Sequence, residues 1–340
     1  MTTRTRRTLI VSAVVVAIVA AIVSAAVWLR RAAPQSVRLL PESDAVVYIN
    51  LGRIRTLTAF HERRTPQRDA EYQKFVDATG FEFERDLDEA AFAIHSGTAG
   101  QETRYSEVFV GHFDAARVSN YLKSISKGVE RYREVDIYSV PVEDRTVRVA
   151  LIAVDSAAIS NVDDPVVIHG IIDRSRQMAR PYAGPALVGE YYKRVPIGSL
   201  AWALARIPAA PKDPRAARGM TLPGGFDVFL PSSSTMVGSV RFVTSINARA
   251  EFLTPNEAEA KRFVDQANTF LALFQSIQSS AQISGADPDV KAVFDSIEFR
   301  QEGSSAVLSA SIPLGFLKKL ISEPPAQLAP QPEETPGKQK

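Results

Sequence analysis

The chain has 340 residues, a formal net charge of +2 and no cysteine, which excludes disulfides, thiolate zinc sites, cysteine nucleophiles and a lipidated-cysteine anchor. Five of the 40 Lys and Arg residues lie in residues 1–31, which contain no Asp or Glu. The remaining 35 basic residues face 38 acidic ones. The body is therefore nearly neutral, which excludes the basic surface typical of nucleic-acid binding.

The first element is an uncharged apolar segment, residues 9–29, flanked on both sides by arginines. A helix rises about 1.5 Å per residue, so this segment would be about 31 Å long, enough to cross a hydrocarbon core of about 30 Å. Trp28 lies at its far end, where an amphipathic ring suits the headgroup layer. We therefore predict a transmembrane signal anchor, with the lipid bilayer as its partner.

Two other interpretations of this segment stay open. A cleaved signal peptide has a shorter apolar region and a small-x-small site, whereas this run ends in Trp-Leu-Arg-Arg. The arginine pair in residues 5–10 also allows a twin-arginine export signal. Arginine counting narrowly favours a cytoplasmic N-terminus. We expect a single-pass protein of the bacterial inner membrane whose main domain is periplasmic or extracellular.

Shifts in composition divide the chain into six parts. A tether ends at Pro41, and the tail has five prolines and few apolar residues, which predicts disorder. A Pro- and Gly-rich stretch, residues 207–225, predicts a long exposed loop. The predicted parts are a basic tail (1–8), the anchor (9–29), the tether (32–41), a first half (42–194), a second half (195–322) and a disordered tail (323–340).

The body alternates between strand and helix patterns, which predicts an α+β fold of mainly antiparallel sheets packed by amphipathic helices. Helices are predicted after Asp114, after Asp164-Pro165, after a capping box at Thr254–Glu257, after Asp287-Pro288, and over 314–321. The predicted strands are Asp44–Leu51, Ala91–His95, Glu107–Phe113, Glu134–Val140, Thr146–Val154, and two around Phe299 and Leu308.

Two segments of the body are alike: Ala45–Ile54 and Leu200–Ile207 each form a predicted strand that ends in Arg-Ile. This likeness suggests two related halves, although chance similarity between Ala- and Val-rich strands explains it too. The order of anchor, Pro-x-x-x-Ala-Val-Val-Tyr-Ile strand, strand–helix units and Pro-rich tail resembles uncharacterised bacterial membrane-anchored proteins of unknown function. The resemblance implies an envelope location and transfers no catalytic residue.

Candidate chemical motifs all have simpler structural explanations. The four histidines lack metal-ligand spacing, and His112-Phe113-Asp114 is better explained by Asp114 capping a helix. The acidic residues within 81–90 lack the glycine turn of a calcium loop. Ser124–Lys127 matches S-x-x-K, but the partner motifs are absent. We therefore predict no catalytic residue, no metal site and no cofactor.

A single segment stands out as a candidate interaction surface. Tyr and Arg are enriched in the residues that dominate binding energy at interfaces, and this segment consists of Tyr191, Tyr192, Lys193 and Arg194. Packing of alternate residues explains it equally well. The sequence thus predicts a non-enzymatic membrane-tethered envelope protein that acts as a binding or accessory module. The alternative is an envelope enzyme whose site is built from scattered carboxylates and arginines.

Overall fold

A computed structural model describes residues 32–58, 69–95, 103–176, 184–209, 220–222, 226–228, 230–280, 292–293, 295–313 and 315. None of the helices within these ranges is long and apolar enough to cross a membrane. The predicted anchor, residues 9–29, and the predicted disordered tail lie outside them, as do the side chains of the 207–225 loop beyond residue 209.

The protein is an α+β protein with a large antiparallel sheet and helices. Its described residues form two compact units. The first runs to Arg206 and also includes Thr235–Ser239, and the second comprises Ile207–Ser234 and the residues from Val240 onward.

The first unit is built on antiparallel strands. Their order across the sheet is β8-β1-β2-β3-β7-β6-β5-β4, so β1 pairs with a strand far away in sequence. The strands are β1 (Ala45–Asn50), β2 (Leu87–His95), β3 (Arg104–Gly111), β4 (Gly128–Tyr132), β5 (Val135–Val142), β6 (Arg145–Ala153), β7 (Ser156–Ser160) and β8 (Ala201–Ile207).

One row of side chains runs across seven of these strands on the same face of the sheet. The strand registers place each member directly opposite the next, and every member is at most 4% exposed. Large aromatic rings stand at one end of the row and small alanines in its middle. The row is Trp202, Tyr48, Ala91, Val108, Ala158, Ala150 and Ile137.

Helices cover both faces of this sheet. The face with the buried row carries α1, α6 and α7, which contact its strands through fully buried side chains such as Val37, Ile168 and Leu187. The opposite face carries α5, whose Leu122 packs on Tyr138. The helices of this unit are α1 (Gln35–Leu39), α2 (Leu51–Thr58), α3 (Ala70–Thr79), α4 (Phe83–Asp86), α5 (Ala115–Ile125), α6 (Val166–Arg176) and α7 (Ala186–Tyr191).

Aspartates begin several of these helices, as the sequence predicts. The Asp114 side chain accepts hydrogen bonds from the backbone N–H groups of Ala116 and Arg117, at 2.9 and 3.1 Å. The Asp164 side chain accepts a hydrogen bond at 2.9 Å from the N–H of Val166, which is the first residue of α6. A side chain that accepts from the first turn satisfies donors that have no partner within the helix. Both predicted helix starts are therefore confirmed.

The second unit combines antiparallel strands with one long helix. Its strands β13, β14 and β12 are neighbours in that order, and the turn at Glu302–Ser304 joins β13 to β14 as predicted. Phe263 of the helix lies 5.2 Å from the Phe252 ring, centroid to centroid. The elements of this unit are β9 (Met220–Leu222), β10 (Phe226–Val228), β12 (Ile246–Leu253), α8 (Glu257–Ser280), β13 (Glu298–Glu302) and β14 (Ser305–Ile312). Strand β11 (Ser234–Phe242) lies mostly in the first unit, through Thr235–Ser239.

The start of α8 differs from the predicted capping box. Asn256, rather than Thr254, accepts the hydrogen bond from the helix, with its Oδ1 3.0 Å from the Glu259 N. The Thr254 hydroxyl instead donates to the carbonyl oxygens of Asn256 and Ser304, both at 2.8 Å. Thr254 is only 8% exposed, and its hydroxyl links the residue before α8 to the turn between β13 and β14.

The first unit extends further along the chain than the first half assigned from the sequence. Residues 195–206, which the sequence assigns to the second half, belong to the first unit because β8 pairs with β1. The two similar segments, Ala45–Ile54 and Leu200–Ile207, thus contribute neighbouring antiparallel strands. The helix predicted after Asp287 lies largely outside the described residues, and so does the one over 314–321.

The buried side of α6 should carry much of the stability of the first unit. Ile171 is fully buried, whereas Val166 in the same helix is 66% exposed. We expect Ile171→Ala to lower the free energy of unfolding by about 2–5 kcal/mol, because it leaves a cavity in the core. The matched control Val166→Ala should stay within about 0.5 kcal/mol of the parent. Urea unfolding followed by circular dichroism measures both, and equal effects would contradict this assignment of the core.

Candidate functional site

A cleft of about 440 Å³ lies in the first unit, between the end of α7 and the strands β1 and β8. Its wall comes from four stretches of the chain: the residues before α1, the end of β1 with the start of α2, the turn after α7, and β8. The lining residues are Ala32, Pro34, Tyr48, Asn50, Arg53, Tyr192, Lys193, Arg194, Val195, Pro196, Ile197, Gly198, Ser199 and Trp202.

Three aromatic rings form the floor of the cleft. The ring centroids of Tyr48 and Trp202 are 5.5 Å apart in a stacked arrangement, because the two residues are direct partners in the β1–β8 register. Tyr192 adds a third ring, 5.2 Å from Trp202 at a tilted angle. Trp202 is 3% exposed and Tyr48 4%, so the floor is a packed aromatic layer with Tyr192 as its more accessible member.

Two side-chain hydrogen bonds accompany the rings. Asn50 Nδ2 donates to the Tyr48 hydroxyl at 3.1 Å, and the Ser36 hydroxyl donates to Glu89 Oε2 at 2.9 Å. Burial, followed by the charge of Glu89, raises the pKa of both Tyr48 and Tyr192. The two phenols therefore stay neutral at physiological pH and add no negative charge to the cleft.

The wall above the floor is fixed by α7. Its residues Leu187 and Val188 are at most 1% exposed, which anchors the helix in the core. A 3₁₀ turn, Tyr192–Arg194, follows directly and closes with a hydrogen bond from the Val195 N to the Tyr192 O at 3.0 Å. The buried residues of α7 and this hydrogen bond therefore define the path of the backbone at Tyr192–Arg194, where the lining side chains begin.

A second turn completes this wall before β8 begins. The N–H and the hydroxyl of Ser199 both donate to the Pro196 carbonyl, at 3.3 and 2.7 Å. Gly198 adopts a φ of +83°, which a residue with a side chain rarely tolerates. The glycine permits the tight return of the chain into the strand that carries Trp202.

The charge on the cleft wall is one-sided. Arg53, Lys193 and Arg194 contribute three cations, and all three residues are exposed. No aspartate, glutamate or histidine is among the described lining residues. Arg53 lies in the first turn of α2, where its backbone N donates to Asn50 Oδ1 at 2.8 Å. Such a wall attracts anions.

The structure brings most of the predicted interaction surface to this cleft. Tyr192, Lys193 and Arg194 line it, whereas Tyr191 ends α7 and is not among the lining residues. The segment's role in binding stays a prediction. The residues that sequence reasoning missed are Tyr48, Asn50, Arg53 and Trp202. The sequence shows that two similar strands contain Tyr48 and Trp202. It does not show that these strands pair, and the pairing is what brings the two rings together.

Several acidic residues of 81–90 have hydrogen-bond and ion-pair partners within the protein. Asp86 Oδ2 accepts from the Glu82 N at 2.9 Å, and Glu84 accepts from the Tyr72 hydroxyl at 2.5 Å. Asp88 pairs with Arg55 and, at 3.0 Å, with Nδ1 of His112. Within the described ranges, no group of three or more His, Cys, Asp or Glu side chains is arranged to hold a metal ion.

A separate carboxyl group, Glu107 on β3, lies in apolar surroundings. The register places it between Phe92 of β2 and Ile159 of β7. Burial raises its pKa to about 7. Since burial disfavours the charged form, this carboxylate weakens the folded state near neutral pH.

Comparison with known proteins shows only a distant structural likeness. No family model and no curated protein matches the sequence. Among solved structures, crystal form IV of TP0453 is 12% identical with a TM-score of 0.41, over 86% of this chain and 99% of that chain. Crystal forms III and I of TP0453 are 11% and 12% identical, both with a TM-score of 0.44, over 85% and 86% of this chain and 98% of theirs. Likeness at this level carries no functional argument.

The raised pKa of Glu107 predicts a pH-dependent effect of its removal. The Glu107 carboxyl has a pKa of about 7 in the folded protein and 4.5 as its ordinary value. As the pH rises from 4.5 to 7, the unfolded chain therefore loses this proton first, and the free energy of unfolding falls. We expect Glu107→Gln to match the parent near pH 4 and to be more stable by about 1–3 kcal/mol at pH 8. Urea unfolding at both pH values measures this effect. The exposed control Glu134→Gln should show no such pH-dependent gain, and a gain for both variants would refute the burial argument.

Proposed function

We propose that this protein is a non-enzymatic, membrane-tethered binding module of the bacterial envelope. The apolar segment 9–29 serves as an uncleaved signal anchor, and the α+β body lies outside the cytoplasm. Two sequence features support this topology: the length of the uncharged segment, and the small excess of arginines on its N-terminal side, where three precede the segment and two follow it directly. The Trp-Leu-Arg-Arg sequence at its far end supports retention of the anchor, because it is a poor cleavage site.

The single observation that carries the binding role is the cleft beside α7. It combines a packed aromatic floor, a wall with three cations and two well-defined turns. Binding sites are commonly concave, with an apolar base and a few polar groups that orient the ligand. The described wall has no carboxylate or histidine for proton transfer, so its chemistry supports recognition of a ligand more than its conversion.

The proposed topology predicts a simple labelling pattern. Because the chain has no cysteine, each introduced cysteine is a unique label. Val129 is 48% exposed in the body, whereas residue 3 lies in the predicted cytoplasmic tail. In cells with a permeabilised outer layer, a membrane-impermeant maleimide should label Val129→Cys and leave Thr3→Cys unlabelled until the inner membrane is lysed. An export-dependent reporter fused at Lys340 should be active. The reverse labelling pattern or an inactive reporter would refute the exported body.

Occupation of the cleft by a ligand predicts protection of its rim. Ile197 lines the cleft and is 52% exposed, close to the exposure of Val129 on β4, which is not part of the cleft. We expect Ile197→Cys to react with maleimide several-fold more slowly in cells than in the purified protein, because a bound ligand shields it. The control Val129→Cys should react at similar rates in both. Equal rates for Ile197→Cys in both settings would count against a cleft that is occupied in the cell.

A further inference from the structure

The cleft lies close, along the chain, to the proposed anchor. Ala32 and Pro34 are part of its wall, and the apolar segment ends at Leu29. A fully extended chain spans at most about 3.6 Å per residue, so the Cα atoms of Leu29 and Ala32 are at most about 11 Å apart. If the segment spans the bilayer, as proposed above, at least this part of the wall is held at the level of the lipid headgroups.

The charges of the cleft indicate which kind of lipid headgroup would bind there. Arg53, Lys193 and Arg194 line the cleft, and Arg30 and Arg31 precede it in sequence. The Glu89 carboxylate is not a lining residue and accepts a hydrogen bond from the Ser36 hydroxyl. A choline or ethanolamine headgroup would bring a further cation to this wall, which is unfavourable. A headgroup with net negative charge would meet complementary charges.

The chemistry of the cationic groups points to phosphate. A guanidinium presents a planar set of N–H donors that matches phosphate oxygens, and an ammonium adds a mobile point charge. The cleft volume of about 440 Å³ accommodates a polar headgroup. We propose that the cleft binds the phosphate of an anionic membrane lipid headgroup, held by Arg53 and Lys193 with Arg194 beside them. This inference rests on the proposed anchor and names the ligand class of the proposed binding site.

Trp202 provides a direct reporter for this site. The chain has two tryptophans, so Trp28→Phe leaves Trp202, in the cleft floor, as the single one. The full chain with this change is purified in a non-ionic detergent and titrated separately with short-chain phosphatidylglycerol, short-chain phosphatidylcholine and inorganic phosphate. We expect a saturable change in Trp202 emission with phosphatidylglycerol, which weakens as salt is raised, and little change with the other two.

Paired variants separate a defined site from diffuse attraction of charge. Arg53→Gln with Lys193→Gln removes two cations from the cleft, and Lys123→Gln with Lys127→Gln removes two exposed cations elsewhere in the same unit. We expect the first pair to weaken the apparent affinity for phosphatidylglycerol by about tenfold or more, and the second to leave it within about twofold. Thermal unfolding of both pairs should match that of the parent, because all four side chains are exposed.

Each alternative outcome has a definite meaning. Equal weakening by both pairs, or no saturable response to any ligand, overturns the proposed site. Saturation by inorganic phosphate alone overturns the lipid source and assigns free phosphate, and a response to phosphatidylcholine overturns the charge argument. Because this experiment uses purified protein, its failure leaves the topology and cleft-occupancy results unaffected. Conversely, a cytoplasmic body would refute the proposed function without changing the headgroup titration.

Discussion

The register of the first sheet is the constraint on which the other features depend. It aligns one buried row across seven strands, with Ala91, Ala150 and Ala158 in the middle and Tyr48 and Trp202 at one end. Small side chains in the middle let the covering helices approach the strands closely, whereas the large rings need more room. A slip of one residue would turn every member of the row to the other face. The cleft is thus a direct product of how the core is packed.

This arrangement places neutral aromatic side chains and charged side chains in different parts of the same cleft. The floor is aromatic and neutral, because burial keeps the hydroxyls of Tyr48 and Tyr192 protonated. The charges are confined to the exposed rim, where Lys193 and Arg194 follow a helix that is firmly anchored in the core. A charged side chain on an exposed rim keeps contact with water, so the protein avoids the cost of moving a cation into the core.

Local patterns in the sequence predicted much of the fold but little of the site. Alternation located β1, β2, β3, β5 and β6, and aspartates located the starts of α5 and α6, since these signals act over a few residues. Strands β4, β7, β11 and β12 were not predicted; β4 and β7 are short, and their polar or small residues alternate weakly. The cleft depends on the pairing of Tyr48 with Trp202, and this contact between distant residues leaves no local pattern. Only its Tyr192–Arg194 edge was visible as a composition signal.

The same distant pairing governs when the complete cleft can exist during synthesis. The N-terminal segment emerges first, and β1 follows soon after, yet the floor stays open until β8 has joined the sheet. Contacts between residues far apart in sequence form late, because the intervening chain must first be ordered. A partly synthesised chain therefore presents β1 with an unpaired edge and Tyr48 without its stacking partner. During that interval the cleft is incomplete, and the unpaired strand edge is open to aggregation.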